Sequence, residues 1–405
     1  MARDLDLAVV MIVKNEEKNI ANMFNSFRDN GLNPDFYITD TGSTDNTVKI
    51  CKAYGAKVFF DTRVEKFDES RNRAFARVDK NYKWLMTIDG DEFIDERIAD
   101  GIKRILNSAN AYTDYDAFWV HSDHLKQMCR DSKLMIVKHS LVRSGAIKYQ
   151  YWIHEQIDKS NLDPERIGHI IGALKHHNER REGSYDEFLK TYQFYTEIAN
   201  AFKKEYPNNW YAHWMSYQEY SYRVEWLHEN ITKKDYKEYI QDYSKALELG
   251  FNDDNVEIRH FTKCLDVFYD TLEVNENWKM FFKFRESFEK YIEEICGRMI
   301  IKCGLHPWIM RTLGQLYLYS KKYKKSIYWN NQLLESNPKL ELYFEFNDLN
   351  YVGDYHTLFE PFVRNIEAYM SLGDMDNARR CYEQIAYLAP EEPIVKEYKK
   401  VFEHS

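Results

Sequence analysis

Two aspartates separated by one glycine, Asp89 and Asp91, directly follow an apolar segment that ends at Ile88. Carboxylates at this spacing can share one Mg²⁺ or Mn²⁺ ion, because such hard cations bind carboxylate and phosphate oxygens together. A departing nucleoside diphosphate needs this kind of charge neutralisation at its oxygens. A solvated turn is the alternative interpretation, and the position of the motif after a buried strand favours the metal site.

A second polar segment, residues 40–47, follows another apolar segment and begins with Asp40. Asp40 could accept a hydrogen bond from a nucleotide base, and Asp45 can cap the helix that follows. Arg71 and Arg73 lie on a short predicted helix, from which one of them could reach the nucleotide. An ordinary helix cap and a solvated helix face are the alternative interpretations of these residues.

A histidine and a carboxylate stand side by side at His154 and Glu155, after a further predicted strand. Glu155 could deprotonate an acceptor, and His154 could bind a metal ion or orient that base. A purely structural His–Glu pair is equally compatible with the sequence. His176 and His177 are further candidates for a metal or diphosphate ligand, although a surface pair suits their position better.

Alternating strands and helices must position these side chains. Buried strands are predicted at residues 6–13, 36–39, 57–60 and 84–88, with helical patterns between them and more strands within 116–157. This alternation predicts a mostly parallel, Rossmann-like α/β sheet with helices on both faces. Ligands bind such sheets beyond the carboxyl ends of the strands. The polar segments after the first, second and fourth strands are therefore expected to form one site.

The sequence becomes helical from about residue 184 onwards and is rich in aromatic residues at spacings of three and four. Tyr317 precedes Pro338 by the same interval as Tyr369 precedes Pro390, and both stretches fit the 34-residue tetratricopeptide template. Helical hairpins in general share much of this pattern. The sequence thus predicts an all-α, tetratricopeptide-like region.

Two domains are predicted, residues 1–183 and 184–405, and a chain of 405 residues suits two domains better than one. The formal net charge of −9 gives no support to tight nucleic-acid binding, although a local basic groove is compatible with it. The cysteines form no C-x-x-C pair, which favours reduced thiols in a cytoplasmic protein. The sequence shows neither a signal peptide nor a predicted membrane span.

Taken together, the motifs resemble those of the family 2 glycosyltransferases, which have the GT-A fold. The resemblance covers about residues 6–180. It is carried by five segments in matching order, residues 11–17, 40–47, 67–74, 88–92 and 153–155. It implies an inverting sugar transfer from a nucleotide-sugar, with a UDP-sugar as the first expectation and Mn²⁺ or Mg²⁺ as the cofactor.

The resemblance also implies roles on the donor side of the site. Asp40 matches the aspartate that contacts the base, and Arg71 matches an arginine near the base or diphosphate. The segment that lines the nucleotide corresponds to Ile12, Val13, Lys14, Asn15 and Glu16.

Metal and acceptor roles follow from the same resemblance. Asp89 would meet the ribose or the metal ion, and Asp91 would bind the metal ion. His154 and Glu155 would close the site, with His154 as a further metal ligand and Glu155 as the expected general base.

The order of a GT-A domain before tetratricopeptide-like helices is similar to that of bacterial peptide glycosyltransferases of the glycocin type. There the helical domain helps dimerisation and acceptor binding, which implies a peptide, protein or glycan acceptor and a homodimer. Alternatives are a binding scaffold with an inactive first domain and a viral enzyme that modifies nucleobases. A nucleotidyltransferase fits less well, because the acidic residues 14–17 replace its Gly-rich phosphate loop.

Overall fold

The chain divides into two compact units in a computed structural model. The first unit comprises Met1–His124 and Asp131–Val256, and the second comprises Leu125–Arg130 and Glu257–Ser405. The structure describes residues 6–62, 66–124, 129–172, 174–176, 185–227, 241–243, 245–246, 248–250, 289–290, 292–301, 304–336 and 359–402.

A seven-stranded sheet forms the centre of the first unit, with the strand order β10-β6-β7-β4-β1-β2-β3. Its strands are β1 (Leu7–Val13), β2 (Asp35–Asp40), β3 (Lys57–Phe60), β4 (Trp84–Thr87), β6 (Ala117–His124), β7 (Cys129–Lys138) and β10 (Ile167–Gly172). β1 pairs in parallel with both β2 and β4, and β10 pairs in parallel with β6, whereas β7 is antiparallel to β4. The predicted GT-A class, a Rossmann-like and mostly parallel sheet, is confirmed.

Four shorter strands form two-stranded ribbons outside the main sheet. β5 pairs with β11 and β8 pairs with β9, in both cases antiparallel. Their bounds are Glu92–Phe93 for β5, Tyr149–Gln150 for β8, Gln156–Ile157 for β9 and Lys175–His176 for β11. These ribbons place the residues that follow β4 and β8 beside the carboxyl end of the central strands.

Helices cover both faces of the sheet because β1 is apolar on both sides. Val9 and Met11 pack in one cluster with α1 and α4, and Ala8 and Val10 pack in another with α3. The helices of this unit are α1 (Ile20–Asp29), α2 (Thr47–Ala53), α3 (Phe67–Ala76), α4 (Glu96–Asn107), α5 (Ala111–Asp114), α6 (His139–Arg143), α7 (Tyr185–Glu205) and α8 (Trp210–Leu227), and a 3₁₀ turn spans Pro164–Arg166. None of the described helices is long and apolar enough to cross a membrane.

The described part of the second unit is helical, as predicted. Ser326 donates a 2.8 Å hydrogen bond to the Gly314 carbonyl, and a Cβ atom on Gly314 would lie 2.3 Å from Oδ1 of Asn330. This close approach joins the first two helices into a hairpin. The helices are α9 (Pro307–Tyr319), α10 (Tyr323–Ser336), α11 (Glu360–Leu372), α12 (Met375–Leu388) and α13 (Pro393–Phe402). Pro338 of the predicted repeat lies outside the described residues.

Candidate active site

The loops that follow β1 and β2 form one hydrogen-bonded surface. Asn15 has a left-handed backbone with φ 57°. Its N–H donates to Oγ of Ser43 at 2.9 Å, and its side-chain oxygen accepts from the Thr44 N–H at 2.8 Å. The Glu16 N–H donates to Oγ1 of Thr47 at 2.7 Å. The two predicted nucleotide-binding segments therefore hold each other in place.

Asp40 and Asp45 shape this second loop through their carboxylates. Asp40 is buried and accepts hydrogen bonds from the N–H groups of Gly42 and Ser43, both at 3.1 Å. Asp45 accepts from the Thr47 N–H at 3.0 Å and fixes the start of α2. Burial opposes ionisation of Asp45, but hydrogen bonds from the Thr47 hydroxyl and N–H and from the Glu17 N–H lower its pKa below the ordinary value. Base recognition by Asp40 stays a prediction.

The Asp-Gly-Asp turn after β4 touches the loop after β1. A Cβ atom on Gly90 would lie 2.7 Å from Cγ of Glu16 and 3.2 Å from its Cβ. Only a glycine leaves room for this contact, because the neighbouring atoms belong to the base of the Glu16 side chain. The turn that carries Asp89 and Asp91 is thereby held against the first polar loop.

Arg71, on α3, joins two of the predicted motifs. Its Nε donates to Oε1 of Glu155 and its Nη2 donates to Oδ1 of Asp89, both at 2.6 Å. The guanidinium carbon lies 5.4 Å from the centre of the Tyr149 ring. Burial opposes the charge of Arg71, but the two carboxylates outweigh burial and raise its pKa above the ordinary value.

Lys133, on β7, is a component of the site that the sequence did not indicate. Its Nζ lies 2.7 Å from Oδ2 of Asp89 and 3.1 Å from both carboxylate oxygens of Glu92. Burial opposes both charges, but the Lys133 and Arg71 cations lower the pKa of Asp89, while the Asp89 and Glu92 carboxylates raise the pKa of Lys133. In the sequence, Lys133 is a single lysine immediately before the apolar run of a strand. Only the antiparallel pairing of β7 with β4 brings it beside Asp89.

The loop between β8 and β9, residues 151–155, carries His154 and Glu155. His154 also has a left-handed backbone, with φ 48°. Its Nε2 lies 2.7 Å from Oε1 of Glu219, a buried carboxylate on α8. Glu155 faces Arg71 instead, and its side chain is only 12% exposed. Two neighbouring residues are thus held by two different helices.

Residues 8–139 match the family model for Glycosyl transferase family 2. The N-terminal domain belongs to this family. An uncharacterized glycosyltransferase of Rickettsia typhi is 32% identical over 104 residues, which cover 26% of this chain and 34% of the relative. Protein RfbJ of Shigella flexneri is 34% identical over 95 residues, which cover 24% of this chain and 71% of that protein. The chain spans about a third of the length of the Rickettsia relative. The predicted glycosyltransferase domain is confirmed.

Solved structures with a similar fold include glucosyl-3-phosphoglycerate synthase from Mycobacterium tuberculosis in complex with Mn²⁺ and UDP-glucose. The two sequences are 15% identical, and the match covers 49% of the present chain and 79% of the synthase with a TM-score of 0.33. A complex of the same synthase with Mg²⁺ and UDP gives a TM-score of 0.31 at 15% identity, over 46% of this chain and 74% of that one. At this level of similarity nothing follows for the ligands of the present chain.

The residues of this family 2 domain fit a divalent cation that arrives together with phosphate oxygens. Among the residues that the structure describes, no group of three or more His, Cys, Asp or Glu side chains could hold a metal ion. Each oxygen of Asp89 is bonded to one cation, Oδ1 to Arg71 and Oδ2 to Lys133. Asp91 forms no ion pair with any described residue, and Mg²⁺ in proteins is often bound by a single carboxylate together with substrate phosphates.

The remaining predicted site residues are placed as follows. Val13 is buried in β1 and its carbonyl accepts the Thr41 N–H at 2.9 Å, whereas Ile12 is half-buried and Lys14 is exposed. His176 lies in β11, and its side chain and all of His177 lie outside the described residues. The metal, base and nucleotide roles of all these residues stay predictions.

Proposed function

We propose that the first unit transfers a sugar, with inversion, from a UDP-sugar to a peptide, protein or glycan acceptor. The observation that carries this proposal is the Arg71 guanidinium, which is bonded at 2.6 Å to both Asp89 and Glu155. These two carboxylates come from segments 66 residues apart, as their numbers show, and Arg71 brings the expected donor side and the expected base together. The three groups come from separate elements, since Arg71 lies on α3, Asp89 follows β4 and Glu155 precedes β9.

On the donor side, Asp91 would hold a Mn²⁺ or Mg²⁺ ion together with the diphosphate. The metal ion, when bound, neutralises the charge that develops on the leaving diphosphate. Lys133 and Arg71 hold Asp89 ionised, and they add two fixed positive charges next to the same turn. The hydrogen-bonded loops after β1 and β2 would receive the nucleoside, with Asp40 at the base.

On the acceptor side, Glu155 would act as the general base. The Arg71 N–H occupies one lone-pair site of the Glu155 carboxylate, and an ionised carboxylate has about four such sites. Glu155 would accept the proton of the acceptor hydroxyl or thiol, whose oxygen or sulfur then bonds to the anomeric carbon. The bond from that carbon to the diphosphate breaks, and UDP leaves with the electron pair. Attack opposite the leaving group inverts the anomeric configuration.

The test is calorimetric binding of UDP-, GDP- and CDP-sugars to the full chain, with and without Mn²⁺. We expect one UDP-sugar to bind, and binding to weaken at least tenfold, about 1.4 kcal/mol, after chelation or in Asp91→Asn. Asp29→Asn, an exposed aspartate at the end of α1, is the matched control and should change nothing. Binding of no nucleotide-sugar at all would refute the proposal.

We further propose that the second unit consists of tetratricopeptide-like hairpins that contact the acceptor or a second copy of the chain. The close hairpin at Gly314 and Asn330 and the left-handed Gly373 after α11 support this interpretation. Light scattering over a range of protein concentrations tests the homodimer, and a constant monomeric mass would contradict it. A reducing compartment such as the cytoplasm suits the free thiols of Cys51, Cys296 and Cys381.

A further inference from the structure

The 151–155 loop has a strained backbone at two positions. Tyr151 has φ 77° and His154 has φ 48°, and both values fall in the left-handed region. Residues other than glycine lose about 1–3 kcal/mol there, so the surrounding structure must hold them in place. Such strain is concentrated where the exact direction of a side chain matters.

Side chains of α7 and α8 pack against this loop and form a hydrogen bond to it. The Tyr211 hydroxyl donates a 2.9 Å hydrogen bond to the carbonyl oxygen of His154, and the Tyr211 ring stacks on Tyr151 with the ring centres 3.6 Å apart. Trp152 stacks on Phe202 at 5.2 Å. The hairpin of α7 and α8 therefore sets the position of the backbone that carries His154.

The imidazole of His154 is also held by α8, through Glu219. Nε2 lies 2.7 Å from Oε1 of Glu219, whose side chain is only 1% exposed. The other oxygen of this carboxylate, Oε2, is buried and has no hydrogen-bond partner in the part of the chain that the structure describes. An ionised carboxylate can only accept hydrogen bonds, so a proton on Nε2 gives Glu219 the donor that it needs.

We propose that Glu219 is a positioning residue that keeps the neutral His154 protonated on Nε2. The lone pair of the imidazole then lies on Nδ1, and His154 acts on a cation or an acceptor through that nitrogen alone. Carboxylate–histidine pairs of this kind fix the tautomer and the ring orientation of working histidines. The tautomer rests on the 2.7 Å contact between Nε2 and an ionised Glu219, whereas its use in sugar transfer rests on the proposed function.

The arrangement also explains why two adjacent residues have separate supports. Glu155 is bonded to Arg71 on α3, and His154 is bonded to Glu219 on α8. Movement of either α3 or α8 would therefore change the distance between the Glu155 carboxylate and the His154 imidazole. Glu219 thereby makes α8 a part of the active site, although it lies 65 residues after His154 in the chain.

The experiment records long-range ¹H–¹⁵N correlations of the full chain with labelled histidines at about pH 8. The His154 signals are assigned by their loss in His154→Gln. We expect a single population with the proton on Nε2 in the unaltered protein. A proton on Nδ1, or signals averaged between both tautomers, would overturn the proposal without any variant.

Glu219→Met then removes the acceptor at nearly constant side-chain length. We expect the His154 signals to shift to a mixture of tautomers and turnover of a UDP-sugar to fall at least tenfold, as is typical when such a partner is lost. The control is Glu197→Met, an exposed glutamate on α7, which should leave both unchanged. An unshifted tautomer in a folded Glu219→Met protein would also contradict the proposal.

These readouts separate the two claims. If no nucleotide-sugar binds but His154 keeps its proton on Nε2 in a Glu219-dependent manner, the proposed function fails and the positioning role stands. If nucleotide-sugars bind and turn over but the tautomer is not fixed, the positioning role fails alone. Tyr211→Phe removes the hydroxyl that donates to the His154 carbonyl and accepts from Gln156, and it leaves the Glu219 carboxylate in place. It should leave the tautomer as it is.

Discussion

Asp89 is placed between two cations, and this determines what it can contribute to the site. Its Oδ1 is bonded to Arg71 and its Oδ2 to Lys133. On the proposed function, the two aspartates of the D-x-D motif therefore have different roles. Asp89 holds cationic side chains of the protein, and Asp91 would meet a metal ion brought by the donor.

Substitution of Lys133 by methionine tests this division. Asp89 and Glu92 would lose a shared partner, so we expect the free energy of unfolding to fall by about 2 kcal/mol and UDP-sugar affinity to fall about tenfold. Urea denaturation and calorimetry measure these changes.

Lys49→Met, an exposed lysine on α2, is the matched control. A Lys133→Met protein with unchanged stability and donor affinity would show that the Lys133 ion pairs are dispensable.

The close contact between Gly90 and Glu16 leads to a second prediction at the level of single residues. A Cβ atom there would lie 2.7 Å from Cγ of Glu16, so Gly90→Ala should cost about 1–3 kcal/mol of stability through steric overlap. Removal of Cγ by Glu16→Ala should restore most of this loss in the double variant, because residues in contact are not additive. Denaturation of the four proteins gives the coupling energy, and additive losses would exclude the contact.

Among the elements, β6 depends on one aspartate that precedes it. The Asp116 carboxylate is bonded to Nζ of Lys138 at 2.7 Å and to Nε of Arg166 at 2.8 Å, and its own N–H donates to the Arg166 carbonyl at 2.7 Å. Lys138 ends β7 and Arg166 precedes β10. Asp116 thus joins three neighbouring strands at the end of the sheet that carries no predicted site residue.

This ion pair predicts a stability that depends on pH. The Arg166 hydrogen bond, opposed by burial and helped by Lys138, lowers the pKa of Asp116 from 3.8 to about 2. Because the folded-state pKa is the lower one, the stabilisation is present above about pH 4 and is lost as the pH falls towards 2. Asp116→Asn should therefore unfold more easily by about 2 kcal/mol at neutral pH.

The difference between Asp116→Asn and the unaltered protein should shrink steadily as the pH is lowered below 4. Urea denaturation at several pH values measures it. UDP-sugar binding should not change at neutral pH, since Asp116 contacts no predicted site residue among those described. A difference that is independent of pH would mean that the carboxylate charge plays no part.

The sequence predicts the central elements well because their patterns are local. The strand expected at residues 84–88 is observed as Trp84–Thr87, and the one expected at 36–39 as Asp35–Asp40. Apolar runs bounded by polar turns leave few alternatives. The polar turns then meet at one edge because the strands are parallel, which is why the turn after β4 could be expected beside the loop after β1.

The roles of Lys133 and Glu219 in the site could not be predicted from the sequence, for a physical reason. Lys133 matters only through the antiparallel register of β7 against β4, and no local pattern encodes that register. Glu219 lies in the region that was expected to be helical from about residue 184 onwards, but the partner of its buried face is decided by tertiary packing. A glutamate among the aromatic residues of α8 was the one available signal.

At the scale of the molecule, α7 and α8 belong to the same compact unit as the sheet, and this unit extends to Val256. The predicted boundary at residue 183 would separate them from the 151–155 loop that they hold. A fragment of residues 1–256 should bind a UDP-sugar within about threefold of the full chain, a difference under 1 kcal/mol. A fragment of residues 1–183 should lose binding, because Tyr151 and Trp152 lose their stacking partners.

Thermal unfolding and calorimetry of both fragments measure these outcomes. A cooperative transition together with donor binding in the 1–183 fragment would place the boundary where the sequence suggested it. Loss of binding in the 1–256 fragment would instead mean that the second unit supports the donor site.

The link between His154 and Glu219 also orders events while the chain is being made. A ribosome adds about 5–20 residues per second, so Glu219 is joined to the growing chain roughly 10 s after Asp91. Throughout that interval the nascent protein has the segments that follow β1, β2 and β4 but lacks the helix that holds His154. On the proposed function, donor binding and sugar transfer would therefore both wait for synthesis of α8, in line with the loss of binding expected for the fragment of residues 1–183.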